Sequence, residues 1–185
     1  MGLPAVPPKP FAICFLITIT VCLNQSAYGQ MKLPRSEDYP VRKGEMYKGK
    51  PAPVVLSSKR ARMYRTVLRN GAEKGPNFAG RYTIVVWGAG LGTFSMAVVD
   101  AKTGRVYFPP FEEVGSSDFG LPYVDTGNNP AWRINSKLFA FVGVPDGKDN
   151  RGEGMYLYTF DKGRFRLVHF IRNDEAGRRA LGLKP

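Results

Sequence analysis

The sequence predicts a mainly β domain: an antiparallel meander of about six or seven strands, blade-like or curled on itself, with one covering helix on its N-terminal side. Three observations carry this. After Phe78, short apolar and aromatic runs alternate with turn residues at the spacing of a meander. Ala101-Lys102-Thr103-Gly104 and Asp161-Lys162-Gly163 place glycine where hairpin loops need a positive φ. In residues 138–144, Leu138, Ala140 and Val142 alternate with Phe139 and Phe141, so the run needs cover on both sides. A single sheet with one wet face does not supply that.

Residues 1–29 contain no acid and one base, Lys9, followed by a 13-residue apolar run at 11–23 and the small-x-small triplet Ala27-Tyr28-Gly29. These are the three parts of a secretory signal peptide. The run falls short of the roughly 20 apolar residues of a spanning helix. A lipid anchor at Cys22 would need a small residue before it, and Val21 stands there. The expectation is cleavage after Gly29, export to the periplasm or medium, and no integral membrane association afterwards. Residues 30–53, rich in Pro, Lys, Arg and Gly, read as an extended or mobile arm.

A helix is expected over 58–70. Ser57 or Ser58 can cap it, Ala61, Tyr64, Val67 and Leu68 recur at helical spacing, and Asn70-Gly71 offers a left-handed stop. Strands follow at 81–87, 95–100, 105–108, 138–144, 155–160 and 164–171, with a weaker one at 121–124. The β-rich domain therefore spans 54–172, and 173–185 reads as a frayed polar tail.

Composition excludes several chemistries. Both cysteines, Cys14 and Cys22, lie in the predicted leader, so the mature chain has no thiolate zinc site, thiol nucleophile or redox pair. One histidine, His169, excludes a multi-histidine metal site, and no cofactor or metal is expected. Loss of Lys9 leaves 26 bases against 15 acids, a net charge of +11 that favours acidic partners. The densest basic patch is the helix face Lys59, Arg62, Arg65 and Arg69, with Arg81 and Trp87 as neighbouring candidates. Tyr82, Trp87, Tyr107, Tyr156 and Tyr158 are the aromatics expected at the surface beside cations, an arrangement that suits sugar rings and extended polymers.

Four motifs invite other readings. Gly88, Gly90 and Gly92 give GxGxG, but a dinucleotide fingerprint needs a third glycine at 93 and a helix after it. Thr93 and a strand-like FSMAVVD stand there, so the turn reverses the chain and no nucleotide is expected. Asp125-Thr126-Gly127 matches aspartic proteases, yet that chemistry needs a second carboxylate and Asn128 follows where a small residue is usual. The loop 145–153 resembles a calcium loop with Lys148 at a ligand position and its glycine displaced. A small hydrolase would use His169 with one of Glu112, Glu113, Asp118 or Asp125, and Glu112, Glu113 and Asp118 could between them supply a general acid and a base.

The stretch GPNFAGRYTIVVWGAGLG resembles a group of small exported bacterial proteins without an assigned function, over residues 64–108. In many of them the turn reads WGCGTGC, and the resemblance implies a bridge between its two cysteines. Ala89 and Thr93 occupy those places here. The segments AWRINSKLFAFVG and GMYLYTFDKGRFRLVHF are similar to propeller-blade strands, although the chain is too short to close a propeller. The functional expectation is an exported, soluble binding or structural protein of the cell envelope, contacting an acidic polysaccharide or an acidic protein surface. The alternatives are the His169 hydrolase and an inhibitor acting through the GAGLG turn or the 145–153 loop.

Overall fold

Eight strands form one antiparallel sheet: β1 (Tyr82–Gly90), β2 (Thr93–Asp100), β3 (Val106–Tyr107), β4 (Val114–Gly115), β5 (Ala131–Trp132), β6 (Leu138–Pro145), β7 (Gly154–Asp161) and β8 (Arg164–Arg172). The computed structural model describes residues 2, 33–90, 92–115, 130–146 and 151–181. The expected strand at 121–124 and the predicted leader lie outside those residues. Strand order is β1-β2-β4-β6-β7-β8, with β3 beside β2 and β5 beside β6. The mainly β expectation holds. The two-residue strands β4 and β5 are too short to show a period in sequence.

The sheet curls without closing, since β1 and β8 are its two unpaired ends. Its inner face is one aromatic core in which Ile84, Met96 and Val98 meet Phe139, Phe141, Tyr156, Tyr158 and Phe160. Tyr82 and Phe160 bring the two halves together edge to face, with ring centroids 4.9 Å apart. Each outer face has its own cover. On β1 and β2, Val85, Ala97 and Val99 lie under Ala61, Leu68 and Ala72 of the helical segment. On β6 to β8, Leu138, Ala140, Val142 and Leu157 are covered by Leu33, Tyr39 and Leu181. This is how a strand apolar on both sides stays dry.

The helical segment is two helices, α1 (Lys59–Met63) and α2 (Arg65–Ala72), broken at Tyr64. Ser58 caps α1 by accepting from the Ala61 amide at 3.0 Å, as expected. The stop at Asn70-Gly71 does not occur: α2 runs through to Ala72, and the first left-handed residue is Gly75, at φ 85°. Gly71 serves close approach instead. A Cβ there would lie 2.6 Å from both Val85 methyls, so only glycine lets α2 sit this low on β1.

Both flanks are more ordered than their composition suggests. The arm carries 3₁₀ turns at Ser36–Asp38 and Lys43–Glu45. Val41, Tyr47 and Ala52 donate amide hydrogens to the carbonyls of Asn135, Gly80 and Ala101, and buried Ser136 donates its hydroxyl to the Ser36 carbonyl at 2.8 Å. The tail contains a third helix, α3 (Glu175–Ala180), whose first turn is capped by the Asp174 carboxylate accepting from Gly177. Neither flank shows the apolar periodicity by which helices and strands are read, because backbone bonds and single caps hold them. No helix among the described residues is long and apolar enough to cross a membrane.

Candidate binding surface

Lys59, Arg62, Arg65 and Arg69 are all exposed along α1 and α2, as their spacing predicts. Neither helix contains an acid. Among the described residues none of the four has a carboxylate partner, whereas Arg81, Arg133, Lys137, Arg172 and Arg179 each do. Among the described residues Arg62 donates only to the carbonyls of Leu56 and Ser57, and Arg65 only to that of Arg62. The ridge therefore keeps its full positive charge facing solvent.

Arg60 belongs to a different surface. It lines up with Tyr64, Leu68 and Ala72 at intervals of four on the covered side. Its guanidinium lies 4.3 Å from the Phe108 ring centroid and donates to the carbonyls of Phe111 and Glu112. This arginine fastens the helix to the loop after β3, and the same interval of four identifies it in sequence.

Arg81 and Trp87 do not join the ridge. Arg81 pairs at 3.0 Å with Asp100, whose side chain is 2% exposed, and donates to the Tyr82 hydroxyl at 3.0 Å. Tyr82 and Asp100 are register partners, and the Tyr82 ring lies in the inner core, on the face of the hairpin opposite the helices. Burial raises the Tyr82 phenol above its ordinary pKa against the opposing pull of Arg81. Trp87 is on the helix face but half-buried there, its ring 4.7 Å from that of Tyr64 and its Nε1 enclosed without a hydrogen-bond acceptor among the described residues.

The surface-aromatic expectation is also corrected. Tyr82, Tyr156 and Tyr158 are buried, and Tyr107 is half-buried against Phe160. The curled sheet has a long inner face, and rings fill it: Phe141 stacks on Tyr156 at 5.0 Å and on Tyr158 at 6.0 Å.

The GAGLG turn reverses the chain. Gly90 pairs with Thr93 across a two-residue connection, Gly90 and Gly92 take φ of 141° and 66°, and β2 follows directly. No helix N-terminus stands there to receive a phosphate. Asp146, the first acid of the calcium-like loop, spends one carboxylate oxygen on the amides of Glu112 and Glu113 at 2.8 and 2.7 Å. Residues 147–150, Asp118 and the Asp125-Thr126-Gly127 motif lie outside the described residues. His169 pairs with Leu157 in the β7–β8 ladder, and its Nε2 is buried without a hydrogen-bond partner among the described residues. No described carboxylate makes a hydrogen bond or ion pair with it, so the general-base geometry is missing among those residues. Nor do three His, Cys, Asp or Glu side chains gather at any point among them.

Beside the ridge, a cleft of ≈ 440 Å³ runs between α2 and the free edge of β1. Thr66 and Asn70 line it from successive turns of α2 and Lys74 from the turn that follows the helix, with Asn77, Ile84 and Val86 opposite. No family model, curated protein or solved structure matches this chain.

Proposed function

We propose that the chain is an exported binding protein of the cell envelope whose cationic ridge contacts an acidic polymer, either a polysaccharide or an acidic protein surface. One observation carries this reading: Lys59, Arg62, Arg65 and Arg69 are exposed on two acid-free helices and have no carboxylate partner among the described residues. Exposed bases that merely decorate a surface are ordinarily interspersed with acids. The leader-like residues 1–29, and the resemblance of residues 64–108 to small exported proteins, support the location.

The test is retention on immobilised polygalacturonate across a salt gradient, comparing wild type with the K59Q/R62Q/R65Q/R69Q variant. Contacts of this kind weaken as the Debye length falls to roughly 8 Å near physiological salt and further beyond it. Wild type should elute at clearly higher salt than the variant. Equal retention of the two, or retention insensitive to salt, refutes the ridge as the contact. For export, the secreted chain should begin at Gln30, and recovery of uncleaved chain from the cytoplasm alone would refute that part.

A further inference from the structure

The free edge of β1 is only half closed. Asn77 closes one position: its carboxamide accepts from the Ile84 amide at 2.8 Å and donates to the Ile84 carbonyl at 3.2 Å. Phe78 closes the position before it by exchanging backbone bonds with Tyr82. Those bonds also fix the phase of the strand. In an antiparallel ladder, alternate residues turn their N–H and C=O toward the partner and the rest turn away. Since Tyr82 and Ile84 turn away from β2, so do Val86 and Gly88, which continue the same alternation in the β1–β2 register. Neither has a hydrogen-bond partner on that side among the described residues, and β1 is the terminal strand of the sheet. Exposed ladder groups of this kind are a template for another strand, and folded proteins usually cover them.

The cleft beside α2 runs along this edge. An added strand would place alternate side chains on its helix side, where Thr66 and Asn70 stand on successive turns of α2 and Lys74 follows just past its end. We infer that the Val86 and Gly88 edge, with the α2 cleft, takes an extended acidic segment of another protein by strand addition. Charge selects the occupant. Among the described residues Lys74 is the one charged residue lining the cleft and no acid lines it, and the ridge on the adjoining helices is cationic. A second copy would bring the same bases and a net charge of +12 against them. A polysaccharide lacks the alternating N–H and C=O groups that complete a ladder. Strand addition draws its affinity from those main-chain bonds and its specificity from alternate side chains. This inference stands apart from the polymer reading, since the edge keeps its ladder groups whether or not the ridge binds anything.

The test selects random 12-residue peptides displayed on phage against the full chain and measures the recovered sequences as synthetic peptides. Expected are peptides with acidic side chains at alternate positions, and slowed amide exchange at Val86 and Gly88 when they bind. Affinity should fall at least tenfold with Lys74→Glu, with Val86→Pro, and with N-methylation of alternate peptide amides. Proline at 86 removes an N–H that faces away from β2, so the hairpin ladder keeps its bonds. Should that variant fail to fold, the N-methylated peptide and the exchange data decide alone. The inference is overturned if no peptide is enriched, or if binding ignores N-methylation and leaves exchange at Val86 and Gly88 unchanged. It is equally overturned if the chain self-associates through this edge, or if polygalacturonate binding is lost in Val86→Pro while no peptide binds. Polymer retention that persists in Val86→Pro and vanishes in the ridge variant would keep the two sites distinct.

Discussion

Alanine at Gly71 sets two effects of opposite sign against each other, and the structure decides between them. In an exposed helix interior, Gly→Ala stabilises by roughly 1 kcal/mol through backbone entropy. Here the new Cβ would stand 2.6 Å from both Val85 methyls and 3.1 Å from the Val85 Cβ. Ordinary contacts are near 3.5–4.0 Å, so about 1 Å must be found. Rotating the valine does not find it, since both methyls are equally close. The helix must lift, and lifting it loosens Leu68 and Ala72, which are 0% and 4% exposed on the same outer face. Overpacking of this kind costs about 1–3 kcal/mol, which less the propensity gain leaves a net loss of up to about 2 kcal/mol. That corresponds to a fall in Tm of up to roughly 8 °C for a domain of this size. Urea unfolding followed by circular dichroism gives the free energy directly. The control is Val85→Ala, which removes both methyls. On that background only the 3.1 Å approach to the residue-85 Cβ is left, so Gly71→Ala should stabilise by up to about 1 kcal/mol and the effect reverses sign between backgrounds. A rise in stability on the wild-type background, or the same effect on both, refutes the close-approach account and the seating of α2 that shapes the cleft.

Asp100→Ala should cost about 2–3 kcal/mol by urea unfolding, because the buried carboxylate holds both Arg81 and the Lys102 amide. Asp100→Asn should cost less if it keeps the turn bond, and equal losses would refute that division. Alanine at Gly90, where φ is 141°, should cost on the order of 1 kcal/mol, and a change near zero would mean the turn is not strained by a side chain. Acid stability should depend on Glu45. The bond from the Arg42 amide, opposed by burial and helped by Lys137, lowers its pKa below the ordinary carboxylate value. A lowered folded pKa gives stability that is complete above the unfolded value near 4.3 and lost as pH falls through the folded one. The gap between wild type and Glu45→Gln should therefore narrow from pH 6 toward pH 3, and a gap independent of pH would refute it. Lys137 is the alkaline counterpart: burial opposes its charge, but bonds to Asp161 and Glu45 raise its pKa, so its contribution is present below about 10.4 and lost as pH rises through the raised value.

Patterns that repeat within a short window were legible. The longer strands, the hairpin glycines and the alternation of Leu138 to Val142 with Phe139 and Phe141 all declare themselves within ten residues. So did the ridge, because four bases at helical spacing opposite an apolar stripe need no knowledge of the rest of the chain. Arg81 and the tyrosines were misplaced for the complementary reason. A residue's neighbours across a sheet are remote in sequence, and Arg81 meets Asp100 only because β1 and β2 pair in that register. The Gly71 stop failed similarly: glycine near a helix end reads as a cap until Val85 is known to lie beneath it.

The sequence by itself determined the mainly β class, the hairpin turns, the cationic ridge and the reversal at GAGLG, since each follows from local periodicity or backbone preference. Tertiary structure alone decided the curl that buries the tyrosines, the anchoring of both flanks, and the half-open edge at Val86 and Gly88. Those depend on which residues distant in the chain come to share a hydrogen bond or a face, and no local pattern encodes that pairing.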